Sequence, residues 1–280
     1  MEVDMGGKKY YGERIGVIKQ EKYDFKMLKR LFLNIYTKLD TELYFQEATG
    51  YECTDENVVG LLGRDIEAEI YLRTGLKYVW PIWKYIDNYE EADLFTMIEF
   101  LYEHVSAPKN KWYHSWNSCG WHASSFEKEQ GKKRFLQEIN VLLDKYEGNY
   151  YLTKSGEIHT VSPKGFKTLV EEEISSGDAE NVDERIQYAI SKFFKYNSSI
   201  NEKKDAVRTL ADILEFYKRQ GIRLDNKDDS DLFNIINGFD IRHHNKLQQS
   251  GYDKDLWYEW MFYTFLASIN LLIKMQKGIS

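Results

Sequence analysis

Residues Ser199 to Gly221 read SINEKKDAVRTLADILEFYKRQG, and this stretch predicts a helix with two well-marked ends. Ser199 stands three residues before Glu202. That is the spacing of a capping box, in which the two side chains bond free backbone N–H groups at the start of a helix. Gly221 follows the helical pattern, where glycine commonly ends a helix because it adopts left-handed backbone without a steric penalty. We therefore expect a helix over residues 201–220.

Three further helices are predicted around this one. They cover Val182–Tyr196, Asp231 to about Ser250, and Asp253–Lys277. Gly251 ends one of these helices and Asp253 caps the next. The segment Ser175–Asp183 is rich in small and polar residues, which is typical of a linker. The expected C-terminal domain is a helical bundle of residues 181–280, with a domain boundary near residue 180.

The first part of the chain also shows helical periodicity. Apolar residues recur on one face in four stretches, which look like a bundle: Phe25–Leu39, Val58–Tyr71, Tyr78–Ile86 and Glu91–His104. Asp24 is the expected N-cap of the first stretch. Further helices are expected over Lys132–Tyr146 and from Phe166 to about Ser175, and a small β-hairpin near residues 150–161 between them. Residues 1–180 should thus form an N-terminal helical domain with one hairpin, and the chain belongs to the mainly α class.

Between Ala107 and Gly131 the helical periodicity fades, and the composition turns to Lys, Trp, Ser, Asn and Gly. This change predicts a connecting loop. The loop carries Trp112, Trp116 and Trp121. Three tryptophans in one loop either pack back on the helices or form a binding surface. We favour packing, because large apolar surface is costly to leave in water.

Composition narrows the range of functions. The formal net charge of -7 disfavours bulk electrostatic binding of nucleic acid, so any such contact would be local. The N-terminal residues lack the apolar core of a secretory signal, and Cys53 and Cys119 lack CxxC partners, so a reducing cytoplasm is expected. Leu256–Ile273 is apolar, but polar residues at near-helical spacing (Glu259, Tyr263, Asn270 and Lys274) predict a core helix with one wet or partner-facing edge rather than a membrane span.

The densest polar cluster within the helical pattern runs from Asn237 to Gln249. If this stretch is helical, two adjacent faces carry the polar groups: Asp240, His244 and Gln248 on one, and Arg242, Asn245 and Gln249 on the other. A carboxylate orienting a histidine beside an arginine could handle a phosphodiester. The alternative is structural, because basic residues accumulate at helix C-termini. On physical grounds alone, we favour that alternative.

Part of the sequence resembles known families of bacterial defence proteins. The segments 205–215, 232–237, 241–245 and 257–262, together with Phe239, resemble the C-terminal HEPN-like domains of bacterial proteins. The segments 97–101 and 135–140, with the following hairpin around Gly156, resemble the N-terminal region of AbiJ-like abortive-infection proteins. The resemblance covers most of the chain, and its motifs are of moderate specificity.

This resemblance implies a metal-independent ribonuclease that acts at a homodimer interface as a toxin or phage-defence effector. It implies that Arg242 contacts the scissile phosphate, while His243 or His244 supplies the acid or base and Asp240 orients it. Asn237, Asn245, Gln249 and Tyr252 are the expected substrate-binding residues. The sequence departs from the family pattern, because both histidines follow the arginine at once and no histidine comes after His244. The alternative is a non-catalytic HEPN-like module that dimerises or binds a protein partner in a defence system.

Neither a metal nor any other cofactor is expected. His104, His114 and His122 lie on both sides of the tryptophan-rich segment, but their separations match no common zinc signature. Cys119 lies close to His122 in sequence and could be a thiol nucleophile. We disfavour that interpretation, because neighbouring residues seldom face each other productively.

Overall fold

The computed structural model describes residues 10–18, 21–55, 57–162, 164–171, 174–239, 241 and 251–278. The chain divides into two compact units, Met1–His159 and Thr160–Ser280. This division lies before the boundary expected near residue 180, because Val170 and Ile174 pack in the same core as Val182. Both units are mostly helical and the strands form small two-stranded sheets, which confirms the mainly α class.

Unit 1 contains seven of the described helices. They are α1 (Tyr11–Arg14), α2 (Phe25–Thr41), α3 (Gln46–Thr49), α4 (Ile66–Thr74), α5 (Ile82–Tyr85), α6 (Glu91–His104) and α7 (Lys128–Asp144). The expected cap of α2 is confirmed, since the Asp24 carboxylate accepts a hydrogen bond of 2.9 Å from the Met27 backbone N–H. The helix α6 has the expected bounds. Its apolar face, with Leu94, Ile98 and Leu101, is buried in the core.

Three two-stranded hairpins lie between residues 50 and 160. They are β1 (Gly50–Glu52) with β2 (Asn57–Val59), β3 (Ala107–His114) with β4 (Gly120–Glu127), and β5 (Tyr150–Leu152) with β6 (Ile158–Thr160). The hairpin expected near residues 150–161 is confirmed. Two other expectations are wrong: Asn57–Val59 is a strand rather than the start of a helix, and residues 107–127 form strands rather than a loop. The four N-terminal stretches therefore do not form the expected bundle of four helices.

The hairpin β3–β4 is joined tightly to the following helix. Gly131, near the start of α7, lies against the backbone at the start of β3, and a Cβ atom at this position would come within 2.5 Å of Ser106 Cα. Only a residue without a side chain permits this approach. The base of the hairpin is thus fixed to α7 by a direct backbone contact.

Unit 2 is a set of helices around one apolar core. The helices are α8 (Lys167–Glu171), α9 (Glu184–Phe194), α10 (Ile200–Arg219), α11 (Asn226–Gly238) and α12 (Lys254–Lys277), with a π-helical turn at Ala179–Asp183 in the expected linker. The capping box at Ser199 is confirmed, because its hydroxyl bonds the Glu202 N–H and the Glu202 carboxylate bonds the Ser199 N–H. Gly221 has a φ of 79° and ends this helix as expected.

One predicted helix in unit 2 ends early. The pattern placed a helix from Asp231 to about Ser250, but α11 ends at Gly238 and Phe239 has extended backbone, with φ -99° and ψ 153°. Gly238 is a poor helix former, and Phe239 turns its ring into the core instead of continuing the turn.

Within the described residues, no helix is both long and apolar enough to span a membrane.

The hairpin β5–β6 depends on one buried amide. The Asn140 side chain, from α7, accepts a hydrogen bond of 2.7 Å from the Leu152 N–H and donates one of 2.9 Å to the Leu152 carbonyl. Asn140 is buried, so water cannot replace either bond. Its amide completes the backbone hydrogen bonding of β5 in the way that a neighbouring strand would.

We predict that Asn140→Ala lowers the free energy of unfolding by about 2–4 kcal/mol, because it leaves a buried N–H and a buried carbonyl unpaired. Urea unfolding followed by circular dichroism measures this loss. The matched control is Asn34→Ala on the exposed side of α2, which should change the free energy by no more than about 0.5 kcal/mol. Equal effects of the two substitutions would contradict the role given to Asn140.

Candidate metal centre

Four metal-binding side chains meet where two hairpins of unit 1 come together. Cys53 follows β1 in the turn that leads to β2, and His114 is the last residue of β3. Cys119 comes directly before β4, and His122 lies within it. Each residue offers one ligand atom, and the four atoms all lie within 4.8 Å of one another. The fold therefore gathers donors that the sequence separates by up to 69 residues.

The distances fit a tetrahedral ion. Cys53 Sγ lies 3.2 Å from His114 Nδ1, and Cys119 Sγ lies 3.1 Å from His122 Nε2. Zinc bonds of about 2.3 Å to sulfur and about 2.0 Å to nitrogen, at tetrahedral angles, place donors about 3.3–3.8 Å apart. These two pairs lie a few tenths of an ångström closer than the ideal separations, and pairs as wide as 4.8 Å would close by about 1 Å around the ion.

An acidic residue orients one of the two imidazoles. Asp55 Oδ2 lies 3.3 Å from His114 Nε2, on the opposite side of the ring from Cys53. Donation of the Nε2–H to this carboxylate leaves Nδ1 with its lone pair towards the cluster. In many zinc sites a carboxylate accepts a hydrogen bond from the histidine that binds the ion. This bond fixes the tautomer of the imidazole and raises its basicity as a ligand.

Aromatic rings enclose the other imidazole. Tyr51 stacks on His122 with ring centroids 4.1 Å apart, and Trp112 lies on it at 4.7 Å. Burial, and next the nearby His114, lower the pKa of His122. Its neutral form is therefore favoured, and the neutral imidazole is the form that binds metal ions.

The two hairpins are brought together by contacts that need no metal. The Gln46 side chain, from α3, accepts a hydrogen bond of 2.8 Å from the Ala123 N–H, next to His122. Gly50, at the start of β1, has a φ of 74°, and a Cβ atom there would meet the Val58 carbonyl oxygen at 2.1 Å. The first contact holds α3 against β4, and the second packs β1 closely on β2 in the hairpin whose turn carries Cys53. The donor set is thus largely preorganised by the fold.

The composition of the cluster indicates a structural site. Two thiols and two imidazoles are the Cys₂His₂ set of structural zinc sites, in which protein atoms fill all four positions. A catalytic zinc ion keeps one position for water or substrate, and this donor set leaves none. Cys53, His114 and Cys119 are partly buried and His122 is buried, so the ion would be shielded without being sealed in a core.

Sequence reasoning missed this site because it compared separations along the chain. Of the three histidines considered together, His104 lies elsewhere, with its Nδ1 2.7 Å from the Phe100 carbonyl oxygen. The other two join both cysteines of the chain. A local signal was present, since His114, Cys119 and His122 form a compact His-x₄-Cys-x₂-His motif. The fourth donor, Cys53, could only be found from the fold.

The three tryptophans near the cluster are not packed away as expected. Trp112, Trp116 and Trp121 are all exposed, and Trp116, in the 3₁₀ turn between the two strands, has 72% of its surface open. The preference for packing was therefore wrong. Trp112 pairs with His122 across the strands and so shares the face of the donors, whereas Trp121 pairs with Tyr113 on the other face.

Most of the predicted ribonuclease residues lie outside the described residues: Asp240, Arg242, His243, His244, Asn245 and Gln249. Two of the predicted set are described. Asn237 is exposed in the last turn of α11. Tyr252 packs its ring against Phe239 and Trp257, with centroids 5.1 and 6.2 Å away. The proposed catalytic grouping therefore stays a prediction.

Comparisons with family models, curated proteins and solved structures find no match for this chain. The site is therefore interpreted from its own geometry. Among the described residues, the four donors form the one grouping of at least three candidate metal ligands.

We predict that Asp55→Asn weakens zinc binding about tenfold, because the amide orients His114 less well and adds no negative charge. This loss of affinity is at the lower end of the range for residues that orient a metal ligand, because Asp55 is largely exposed and water screens its charge. Competition with a chromogenic chelator measures the affinity. Glu52→Gln, which removes an exposed carboxylate one residue before Cys53, is the control and should leave the affinity unchanged. An equal loss in both variants would point to general charge rather than to orientation of His114.

Proposed function

We propose that this protein binds one zinc ion at Cys53, His114, Cys119 and His122, and that the ion is structural. The convergence of four ligand atoms within 4.8 Å is the observation that carries the proposal. Thiolate and imidazole ligands in tetrahedral geometry favour zinc over calcium or magnesium, which take oxygen ligands. The ion's role is to hold the turn after β1 against the turn end of the hairpin β3–β4.

This role has a physical basis in the size of the elements. A two-stranded hairpin is at best marginally stable in water by itself. The hairpin β1–β2 has three residues in each strand, so few backbone bonds stabilise it. Because the ion binds only the folded arrangement, its binding free energy adds to the stability of unit 1. It would also keep the exposed Trp116 turn in one conformation.

The direct test is the metal content of the purified full chain. We expect one zinc per chain, and cobalt(II) substitution should give the visible absorption of a tetrahedral site with thiolate ligands. Cys53→Ser and His122→Gln should lose the ion. His104→Asn changes a histidine of the same unit outside the cluster and should retain it.

Stability provides a second, independent readout. Chelation should destabilise unit 1 by about 4 kcal/mol if free zinc stood about a thousandfold above its dissociation constant. Thermal unfolding of the wild type should then move towards that of Cys53→Ser, and the chelator should have no further effect on that variant. A wild-type chain that purifies without metal, takes up none and melts identically with chelator would exclude the site.

Ribonuclease activity is a second, separate proposal, supported by the resemblance and by one contact. The rings of Phe239 and Tyr252 touch, with centroids 5.1 Å apart, so two residues that flank the polar cluster lie close together. The alternative is a non-catalytic module that dimerises or binds a protein partner, with the same cluster serving a structural role.

The two alternatives make opposite predictions for Arg242→Ala. If the chain is a metal-independent ribonuclease, this variant keeps its melting temperature and loses RNA cleavage by at least about a hundredfold, as expected when a transition-state charge contact is removed. If the cluster is structural, the variant melts at a lower temperature and no RNA chemistry is lost. Cleavage of total RNA with and without chelator measures both, and cleavage that needs zinc would contradict the metal-independent mechanism.

A further inference from the structure

The two sulfur atoms of the candidate metal site lie close to each other. Cys53 Sγ and Cys119 Sγ are at most 4.8 Å apart, and the Cys119 thiol also donates a hydrogen bond of 3.8 Å to the Glu52 carbonyl, one residue before Cys53. A disulfide requires a distance of about 2.0 Å between the sulfurs. Rotation of a cysteine side chain about its Cα–Cβ bond moves the sulfur by a comparable amount, so the side chains themselves can close most of the gap.

Both cysteines are accessible and lie outside the strands. Cys53 follows β1 and Cys119 directly precedes β4, so each belongs to the turn of its hairpin. Each side chain is partly exposed, so a small oxidant in solution can reach its sulfur. Turn residues share fewer backbone hydrogen bonds with neighbouring strands than paired residues do, which permits the small backbone shifts that disulfide geometry requires.

The two cysteines belong to different hairpins, which separates this site from most sites with the same donors. In many zinc sites two cysteines are two to four residues apart, and a disulfide between them closes a very short loop. Cys53 and Cys119 are 66 positions apart, so a disulfide between them links the same two hairpins that the ion links. The stabilisation by a disulfide grows with the length of the loop that it closes. Oxidation at this site would therefore exchange one cross-link for another.

We propose that the site is a redox switch, in which peroxide oxidises Cys53 and Cys119 to a disulfide that releases zinc and keeps the two hairpins joined. The proposal rests on the zinc site proposed above. Thiolates, not disulfide sulfurs, are the sulfur ligands of zinc, so His114 and His122 alone remain as ligands after oxidation. The sequence contains two cysteines, so this disulfide is the only one that it can form within one chain.

The reaction consumes one molecule of hydrogen peroxide. One thiolate attacks a peroxide oxygen, the O–O bond breaks, and a sulfenic acid forms with release of hydroxide. The second thiolate attacks the sulfenic sulfur, the S–S bond forms, and a second hydroxide leaves. Two protons from solvent convert the hydroxides to water, and the two electrons lost by the sulfurs reduce the peroxide. Dithiothreitol reverses the switch by thiol–disulfide exchange, in which it is oxidised and both thiols of the site are restored.

The test is titration of the zinc-loaded full chain with hydrogen peroxide. A chromogenic indicator measures the released zinc, and mass spectrometry of a digest identifies the oxidised cysteines. We expect one zinc released for each peroxide consumed, a peptide pair joined through Cys53 and Cys119, and complete rebinding of zinc after dithiothreitol. A zinc-loaded chain that keeps its ion under peroxide, or loses it only through sulfinic acids or disulfides between chains, would overturn the proposal.

Thermal unfolding tests whether the hairpins stay joined. The oxidised, zinc-free chain should melt roughly 5–15 °C above the reduced chain in chelator, because the disulfide restricts the unfolded chain. Cys53→Ser and Cys119→Ser each lack one sulfur, so peroxide should not raise their melting temperatures. An oxidised wild-type chain that melts at or below the reduced, zinc-free chain would contradict the exchange of cross-links.

The variant His122→Gln separates this proposal from the zinc site on which it rests. It loses one imidazole ligand but keeps both thiols, so it should fail to hold zinc and still form the disulfide between Cys53 and Cys119. Circular dichroism establishes that the variant is folded. A wild-type chain that forms this disulfide but never binds zinc would contradict the zinc site and the release of the ion. A chain that binds zinc but does not form the disulfide would contradict the switch alone.

Discussion

The approach of the turn at Cys53 to the turn end of the hairpin β3–β4 is the constraint on which the candidate metal site depends. It brings two thiols and two imidazoles into one cluster, although Cys53 and Cys119 are 66 positions apart in sequence. The bond between Gln46 and Ala123 and the close packing of Gly50 on β2 involve no donor of the cluster, so they need no ion. A zinc ion would neutralise the two thiolates and add its binding energy to elements too small to be stable separately.

Unit 2 is stabilised differently. Its helices share one continuous apolar core, centred on residues of α10 and α12 such as Leu210 and Phe262 that water does not reach. Burial of so many large side chains is sufficient to fold a domain of this size without a metal or disulfide. Unit 1 has a buried apolar core as well, and under the proposal zinc binding would add to its stability, whereas all four donors lie outside unit 2.

The sequence predicted best those elements whose signals are local. The capping box at Ser199, the cap at Asp24 and the bounds of α6 all come from residues within a few positions of one another. The strand β3 was missed because its sequence, APKNKWYH, contains Pro, Lys and Asn, which strands usually lack. Pairing with β4 overrides this weak preference. Similarly, His114 and Cys53 become neighbours only after two hairpins have formed, so no spacing rule could identify them as partners.

The backbone contact at Gly131 has a mechanical consequence for the hairpin that carries three of the four donors. One end of the ribbon is clamped to α7 at Ser106, and the other end holds His114 and Cys119. These two points are separated by about 26 Å, the length of eight extended residues. A ribbon held at both ends cannot swing open as a flap about a hinge. With zinc bound, any displacement at the tip would be absorbed by twisting the strands, and the hairpin would act as a stiff beam between helix and ion.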